Sequence, residues 1–308
     1  MINILQEVIM EIRVLRYFVT IAQEGSITRA AELLHITQPT LSRQLAQMEE
    51  DTGVTLFSRQ KHRLSLTNEG QLLYRRAQEI LALVDKTENE LRQGEETVSG
   101  HIDITCGEIG AVWLLSQMIS SFKEKYPQVT YGLYTCNADT SKERLDNGLA
   151  DLALLLEPVD MERYDFIRLP IKEHWGVLMR ADDPLAKKDT ITPADLAGKQ
   201  LIIPWRDKIQ QELRSWFGSY RLPIHPPMIF NLSTNASIMV YNGMGYSLCM
   251  AGGRPFLDES KILCKPLNPP LIATTVLAWK TQQAKSLTVT KFIEYARKYI
   301  STTVESRQ

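Results

Sequence analysis

A chain of 308 residues with 44% hydrophobic and 23% charged side chains has an ordinary globular composition and is long enough for two or three domains. Its formal net charge of −1 excludes a uniformly basic nucleic-acid coat, so any DNA contact needs positive charge concentrated locally. Cys106, Cys136, Cys249 and Cys264 form no CxxC pair and have no close histidine, which argues against structural zinc and for free thiols in a reducing cytoplasm. No apolar run approaches the ~20 residues of a membrane span. The opening stretch lacks a basic region and is interrupted by Glu7, so no signal peptide is expected and the cytoplasm is the expected compartment. Met10 offers an alternative start, with residues 1–9 as a helical extension.

The first periodic segment runs from Glu11 to Glu24. It places Val14, Leu15, Phe18, Val19 and Ala22 on one helical face, with Gly25 as its stop. Ser26 is positioned to cap a short second helix, Ile27 to His35, whose Ala30, Ala31 and Leu34 can pack closely on the first. Thr37 then offers a cap for a third helix, with Pro39 in its first turn. Leu41, Leu45 and Met48 make the buried stripe of that helix. Its outer face carries Gln38, Thr40, Ser42, Arg43, Gln44 and Gln47, amide, hydroxyl and guanidinium groups that match base edges and phosphates. An ordinary solvated face would carry Glu and Lys instead. Residues Leu56 to Thr67 alternate loosely around a basic tip and read as a two-stranded wing. Between Phe57 and Arg76, Arg59, Lys61, Arg63, Arg75 and Arg76 face the single acid Glu69, a local positive footprint for DNA phosphates. A wing tip can also reach the minor groove.

From Thr67, a candidate cap, the pattern is helical again. Leu73, Ala77, Ile80, Val84, Thr87 and Leu91 recur at alternating spacings of four and three, an a/d seam with charged flanks that predicts a dimerising helix. A helix packed only within its own chain would show a wider apolar stripe. The runs Leu15-Arg16-Tyr17-Phe18-Val19, Gly25 through Leu45, Thr55-Leu56-Phe57-Ser58-Arg59 and Leu66-Thr67-Asn68-Glu69-Gly70 together resemble the LysR-type transcriptional regulators. The resemblance implies a winged helix-turn-helix with its third helix in the major groove. On that basis Gln38, Pro39, Thr40, Ser42 and Arg43 are the candidate base-reading and phosphate-contacting residues, and Gln44 joins them from its place on the outer face. Ser26 and Thr28 fall near phosphates, and Arg59 and Lys61 in the wing.

After Gly100 strands alternate with helices. Strands are expected at His101–Cys106, Val129–Thr135 and Asp151–Leu156, with helices at Ala111–Tyr126 and Ser141–Gly148. A second set follows, with strands near Trp175–Met179, Leu201–Pro204, Met228–Leu232, Tyr246–Met250 and Ile262–Leu267, and helices near Ile209–Gly218 and Asn235–Gly243. The strand Ala273–Trp279 and the helix Leu287–Ile300 are assigned back to the first set, with crossings near Arg168–Pro170 and Pro266–Pro270. The expected fold class is α/β: a winged helix-turn-helix and long linker helix, followed by a two-lobed, periplasmic-binding-protein-like (type 2) effector domain with parallel-rich sheets. Expected boundaries are 10–67 for the DNA-binding domain, 68–93 for the dimerisation helix and 94–100 for a hinge. Lobe I takes 101–168 with 268–301, and lobe II takes 169–267. Tyr126-Pro127-Gln128-Val129 and Asn231-Leu232-Ser233-Thr234-Asn235 carry the weaker resemblance of this half to the family's effector domain.

Ligands in such folds bind at strand ends and helix N-termini. The candidate effector residues are therefore Cys106, Gly107, Glu108 and Ile109; Thr135, Cys136 and Asn137; Trp205 and Arg206; and Ser233, Thr234 and Asn235. Gly107 and Ile109 stand where many members carry hydroxyl residues. That departure argues against a simple carboxylate effector unless Arg206 dominates the field, and it leaves Glu108 either in the cleft or facing solvent. Cys106 and Cys136 end two neighbouring strands, so a thiol sensor is an alternative to buried structural cysteines. A small-molecule-binding protein with no DNA target is the other alternative. No HExxH, GxSxG, P-loop or Rossmann glycine pattern occurs, and His35, His62, His101, His174 and His225 are scattered, so no enzyme, cofactor or metal is expected. The expected partners are double-stranded DNA, a second copy of the chain as homodimer or dimer of dimers, a small-molecule effector and RNA polymerase, with no membrane.

Overall fold

The computed structural model describes residues 10–60, 63–92, 98–157, 159, 161–220, 226–253 and 257–305, without the side chains of 59, 60, 63, 89, 90, 92 and 303–305. Residues 1–9, Lys61, His62, His225 and positions 94–97 of the expected hinge lie outside this set. The chain forms two compact units divided between Arg92 and Gln93.

The first unit comprises α1 (Ile12–Glu24), α2 (Ile27–Leu33), α3 (Gln38–Thr52), the hairpin β1 (Phe57–Gln60) and β2 (Arg63–Leu66), and α4 (Asn68–Arg92). Gly25 ends α1 in the left-handed region, its N–H bonding the Ile21 carbonyl at 3.0 Å. Ser26 caps α2 by accepting from the Arg29 N–H at 3.4 Å. Thr37 does not cap α3; its hydroxyl meets that of Thr40 at 2.8 Å instead, so Thr40 supplies the contact expected from backbone. Leu15, Phe18, Leu41, Leu45 and Met48 are buried as expected, and Ile21 joins them because α1 packs on α2, α3 and α4 at once. The rings of Phe18 and Phe57 meet edge to face at 5.4 Å, fastening the wing to α1. Thr67 accepts from the Gly70 N–H at 2.9 Å, opening α4. Gly70 is required there: a Cβ would lie 2.1 Å from the Leu56 carbonyl oxygen.

The heptad seam divides along α4. Ala77 and Leu81 are buried and Leu73 packs beside them in the unit's own core, whereas Leu72, Ile80, Leu83 and Leu91 are exposed. The expectation that Ala77 faces a second chain is therefore corrected, since it is fully buried in its own unit, while Leu73 is half-buried beside it. The four–three spacing is the same whether the partner is another helix of the chain or another copy.

The second unit is built on β3 (Gly100–Cys106), α5 (Val112–Lys125), β4 (Val129–Thr135), α6 (Ala138–Asp146), β5 (Leu152–Leu156) and β6 (Tyr164–Arg180). There follow α7 (Pro193–Leu196), β7 (Leu201–Pro204), α8 (Asp207–Phe217), β8 (Met228–Phe230), α9 (Ser233–Tyr241), β9 (Tyr246–Met250), β10 (Ile262–Pro266), β11 (Ile272–Lys280) and α10 (Leu287–Glu305). The strand order is β4-β3-β5-β11-β6-β9-β7-β8, with β10 also on β6. Parallel pairings hold β4, β3 and β5 on one side and β9, β7 and β8 on the other, and antiparallel pairings of β11 and β6 join them. The segment expected as a separate strand, Trp175–Met179, is the C-terminal end of the long strand β6. Tyr164–His174 of β6 pairs with β11, and Trp175–Arg180 pairs with β9 and β10. Pro170, which has no N–H to give, sits where the β6–β11 register shifts. The last strand and helix return to the first lobe, where Phe122 of α5 and Phe292 of α10 stack edge to face at 5.2 Å.

Candidate functional site

On the first unit, Leu41, Leu45 and Met48 anchor α3 inward, which turns its polar residues outward. Gln38, Pro39 and Arg43 are exposed, and Thr40, Ser42 and Gln44 are half-buried along the same face. Thr28 is exposed and Ser26 half-buried at the start of α2. Gln47 donates to Asp51 at 2.8 Å, which draws it off the reading set. The wing is held by a residue that its sequence context does not advertise: the Glu49 carboxylate accepts the Leu56 and Phe57 N–H groups at 2.6 and 3.1 Å. Arg59 lies in β1 with its side chain outside the described residues, as does all of Lys61. Arg16 pairs with Asp85, a bond that ties α1 to α4 and raises the guanidinium's pKa.

In the second unit a cavity of about 120 Å³ lies between the lobes. Two bridges cross it. The Glu108 carboxylate, from the loop after β3, accepts from the Ser233 hydroxyl at 2.8 Å, from the Thr234 N–H at 3.0 Å and from the Thr234 hydroxyl at the N-terminus of α9. Arg206, after β7, donates from Nε and Nη2 to Asp139 of α6, both at 2.9 Å. Asn137 caps α6 by accepting from the N–H groups of Asp139 and Thr140 at 2.9 and 3.0 Å. Behind the cleft a third carboxylate, the buried Glu173 of β6, accepts from the N–H groups of Gly110 and Ala111 at 3.0 and 2.6 Å and closes the start of α5. A Cβ on Gly252 would lie 2.9 Å from the Gly110 Cα, so glycine is needed at this close approach.

Cys106 and Cys136 are both buried. Burial pushes both thiols up from their ordinary value. The Cys136 N–H donates to the Cys106 carbonyl at 2.9 Å, while the Cys136 sulfur lies 3.1 Å from the Ser141 hydroxyl.

Both halves match known families. Residues 12–71 match the bacterial regulatory helix-turn-helix protein, lysR family, and residues 95–301 match the LysR substrate binding domain. The chain belongs to the LysR family. Among its relatives, the transcriptional regulator BsdA of Bacillus subtilis (strain 168) is 31% identical over 280 residues, covering 88% of this chain and 95% of that protein. The Hca operon transcriptional activator HcaR of Escherichia coli (strain K12) is 29% identical over 286 residues, covering 90% and 94%. Full-length CbnR, solved in complex with its target DNA, shares the fold with a TM-score of 0.70 at 20% identity, covering 94% of this chain and 99% of that one. The chain is thus a LysR-type DNA-binding transcriptional regulator with an effector-binding domain, a family of regulators and not of enzymes.

Of the residues expected at this regulator's effector site, Gly107, Glu108, Ile109, Cys136, Asn137, Arg206 and Ser233 line the cavity. Thr234 reaches it through Glu108. Cys106 is instead buried in the core, and Thr135, Trp205 and Asn235 are exposed outside the wall. The solvent-facing alternative for Glu108 is set aside by its three bonds. Sequence reasoning missed Asp139, Trp175, Phe230 and Met250. Asp139 had a local signal as a first-turn acid, and Arg206 was expected at the site, but nothing in the sequence paired the two across the cleft. Among the described residues no metal-holding cluster of His, Cys, Asp and Glu occurs, and no helix is long and apolar enough to cross a membrane.

Proposed function

We propose that this LysR-type regulator reads double-stranded DNA through Gln38, Pro39, Thr40, Ser42, Arg43 and Gln44, positioned by phosphate contacts from Ser26, Thr28, Arg59 and Lys61. A small effector binds between the lobes, against Gly107, Glu108, Ile109, Cys136, Asn137, Arg206 and Ser233. The protein acts in the cytoplasm as a homodimer or dimer of dimers through α4, with RNA polymerase as a further partner. The working partition is 10–67 for DNA binding, 68–93 for dimerisation, 94–100 as hinge, 101–168 with 268–301 as lobe I and 169–267 as lobe II. Effector binding biases the lobes and hence the placement of paired recognition helices on half-sites spaced by helical turns.

The observation that carries this reading is the outer face of α3, which exposes Arg43 and Gln38 while its leucines are buried. Arg43→Ala is expected to relax base preference at one operator position by ~1–3 kcal/mol, measured by competition binding against single-base operator variants. Equal weakening on every sequence would assign Arg43 to phosphate alone.

A further inference from the structure

The α9 helix begins without a side-chain cap of its own. Its N-cap residue is Leu232, which has no acceptor to give, so the first-turn donors are left for another group. The Ser233 hydroxyl, the Thr234 N–H and the Thr234 hydroxyl converge there at the cavity wall, a set of donors suited to a carboxylate. The chain fills that set itself, with Glu108 from the opposite lobe. The other anion-attracting group is also taken: Arg206, the only cation among the described lining residues, is held by both oxygens of Asp139. Most of the remaining wall is apolar, including Leu154, Ile209, Phe230 and Met250, with Asn137 and Asn231 as polar exceptions.

We propose that Glu108 is a built-in occupant of the carboxylate position at the start of α9, and that the effector of this cleft is uncharged, with an apolar body. This rests on the cleft being the effector site. An anionic effector would meet an occupied donor set, a like charge on Glu108 and an apolar wall that disfavours an unpaired carboxylate. Removing the Glu108 carboxylate reverses the preference, because the donors at Ser233 and Thr234 are then open to a ligand's own carboxylate.

The test uses an isosteric pair, benzoate and benzamide, titrated calorimetrically into full-length wild-type, Glu108→Ala and Glu108→Gln proteins. The ratio of benzoate to benzamide affinity should rise roughly tenfold or more in Glu108→Ala, the scale of a like-charge penalty relieved. Glu108→Gln, which keeps the size and loses the charge, should move it less in the same direction and guards against a folding defect in the alanine variant. Benzoate binding wild type as tightly as Glu108→Ala would mean that a ligand displaces Glu108 freely, and overturns the proposal. Failure of Glu108→Ala to bind benzoate overturns it as well. Operator binding is measured on the same samples: retained binding confines a negative result to effector class, whereas its loss in wild type strikes at the regulator reading itself.

Discussion

Asp195 shows how much one side chain can organise in a short connection. It sits three residues into α7 and accepts from the Thr192 N–H at 2.9 Å and the Thr192 hydroxyl at 2.8 Å, with Lys188 on its other oxygen. These partners hold its pKa down at about 2, against an ordinary 3.8. A carboxylate with a lowered folded-state pKa stabilises fully above its unfolded value, and that contribution is lost as pH falls toward the folded one. The stability difference between wild type and Asp195→Asn, read from urea unfolding midpoints, is therefore expected to be largest near pH 5 and to shrink between about pH 4 and 2. Thr192, Pro193 and Asp195 make this cap legible as a capping-box pattern in sequence. Glu49 and Glu108 follow no such local rule. Their acceptors are satisfied by the wing and by the far lobe, and nothing within a few residues of either announces those partners.

At the scale of elements, periodicity located most helices and strands to within a few residues, because an apolar period of 3.6 or a short apolar run is a local property. It failed where identity depended on the partner. On α4 the same spacing serves two surfaces: Ala77 and Leu81 inward, Ile80 and Leu83 outward. The two faces make opposite predictions. Ile80→Asp with Leu83→Asp should leave the unfolding temperature of the DNA-binding unit unchanged but weaken self-association, seen by sedimentation as a shift toward monomer. Leu81→Ala should instead lower its stability by about 2–5 kcal/mol, the usual range for emptying a buried leucine site. A double variant that sediments as wild type would move the dimer contact off the exposed stripe.

Across the whole molecule, a net charge of −1 conceals a local positive footprint between Phe57 and Arg76, and the four cysteines are free thiols. With Cys106 and Cys136 buried and their thiols pushed above the ordinary range, little thiolate forms at neutral pH. Operator binding by the full-length protein is expected to be the same with and without hydrogen peroxide, and the same after Cys106→Ser with Cys136→Ser. A peroxide-dependent mobility shift that vanishes in that double variant would restore the sensor. The overall two-lobed plan was legible because strands and helices alternate regularly. The continuity of β6 was not, since Pro170 interrupts an otherwise strand-like run. That continuity sets the mechanics of the sensor. A single backbone hydrogen-bonded to β11 over its first part and to β9 and β10 over its last is a torsion bar held in two vises. Hydrogen exchange measured along β6 therefore reads both lobes from one strand, its first part through β11 and its last through β9 and β10.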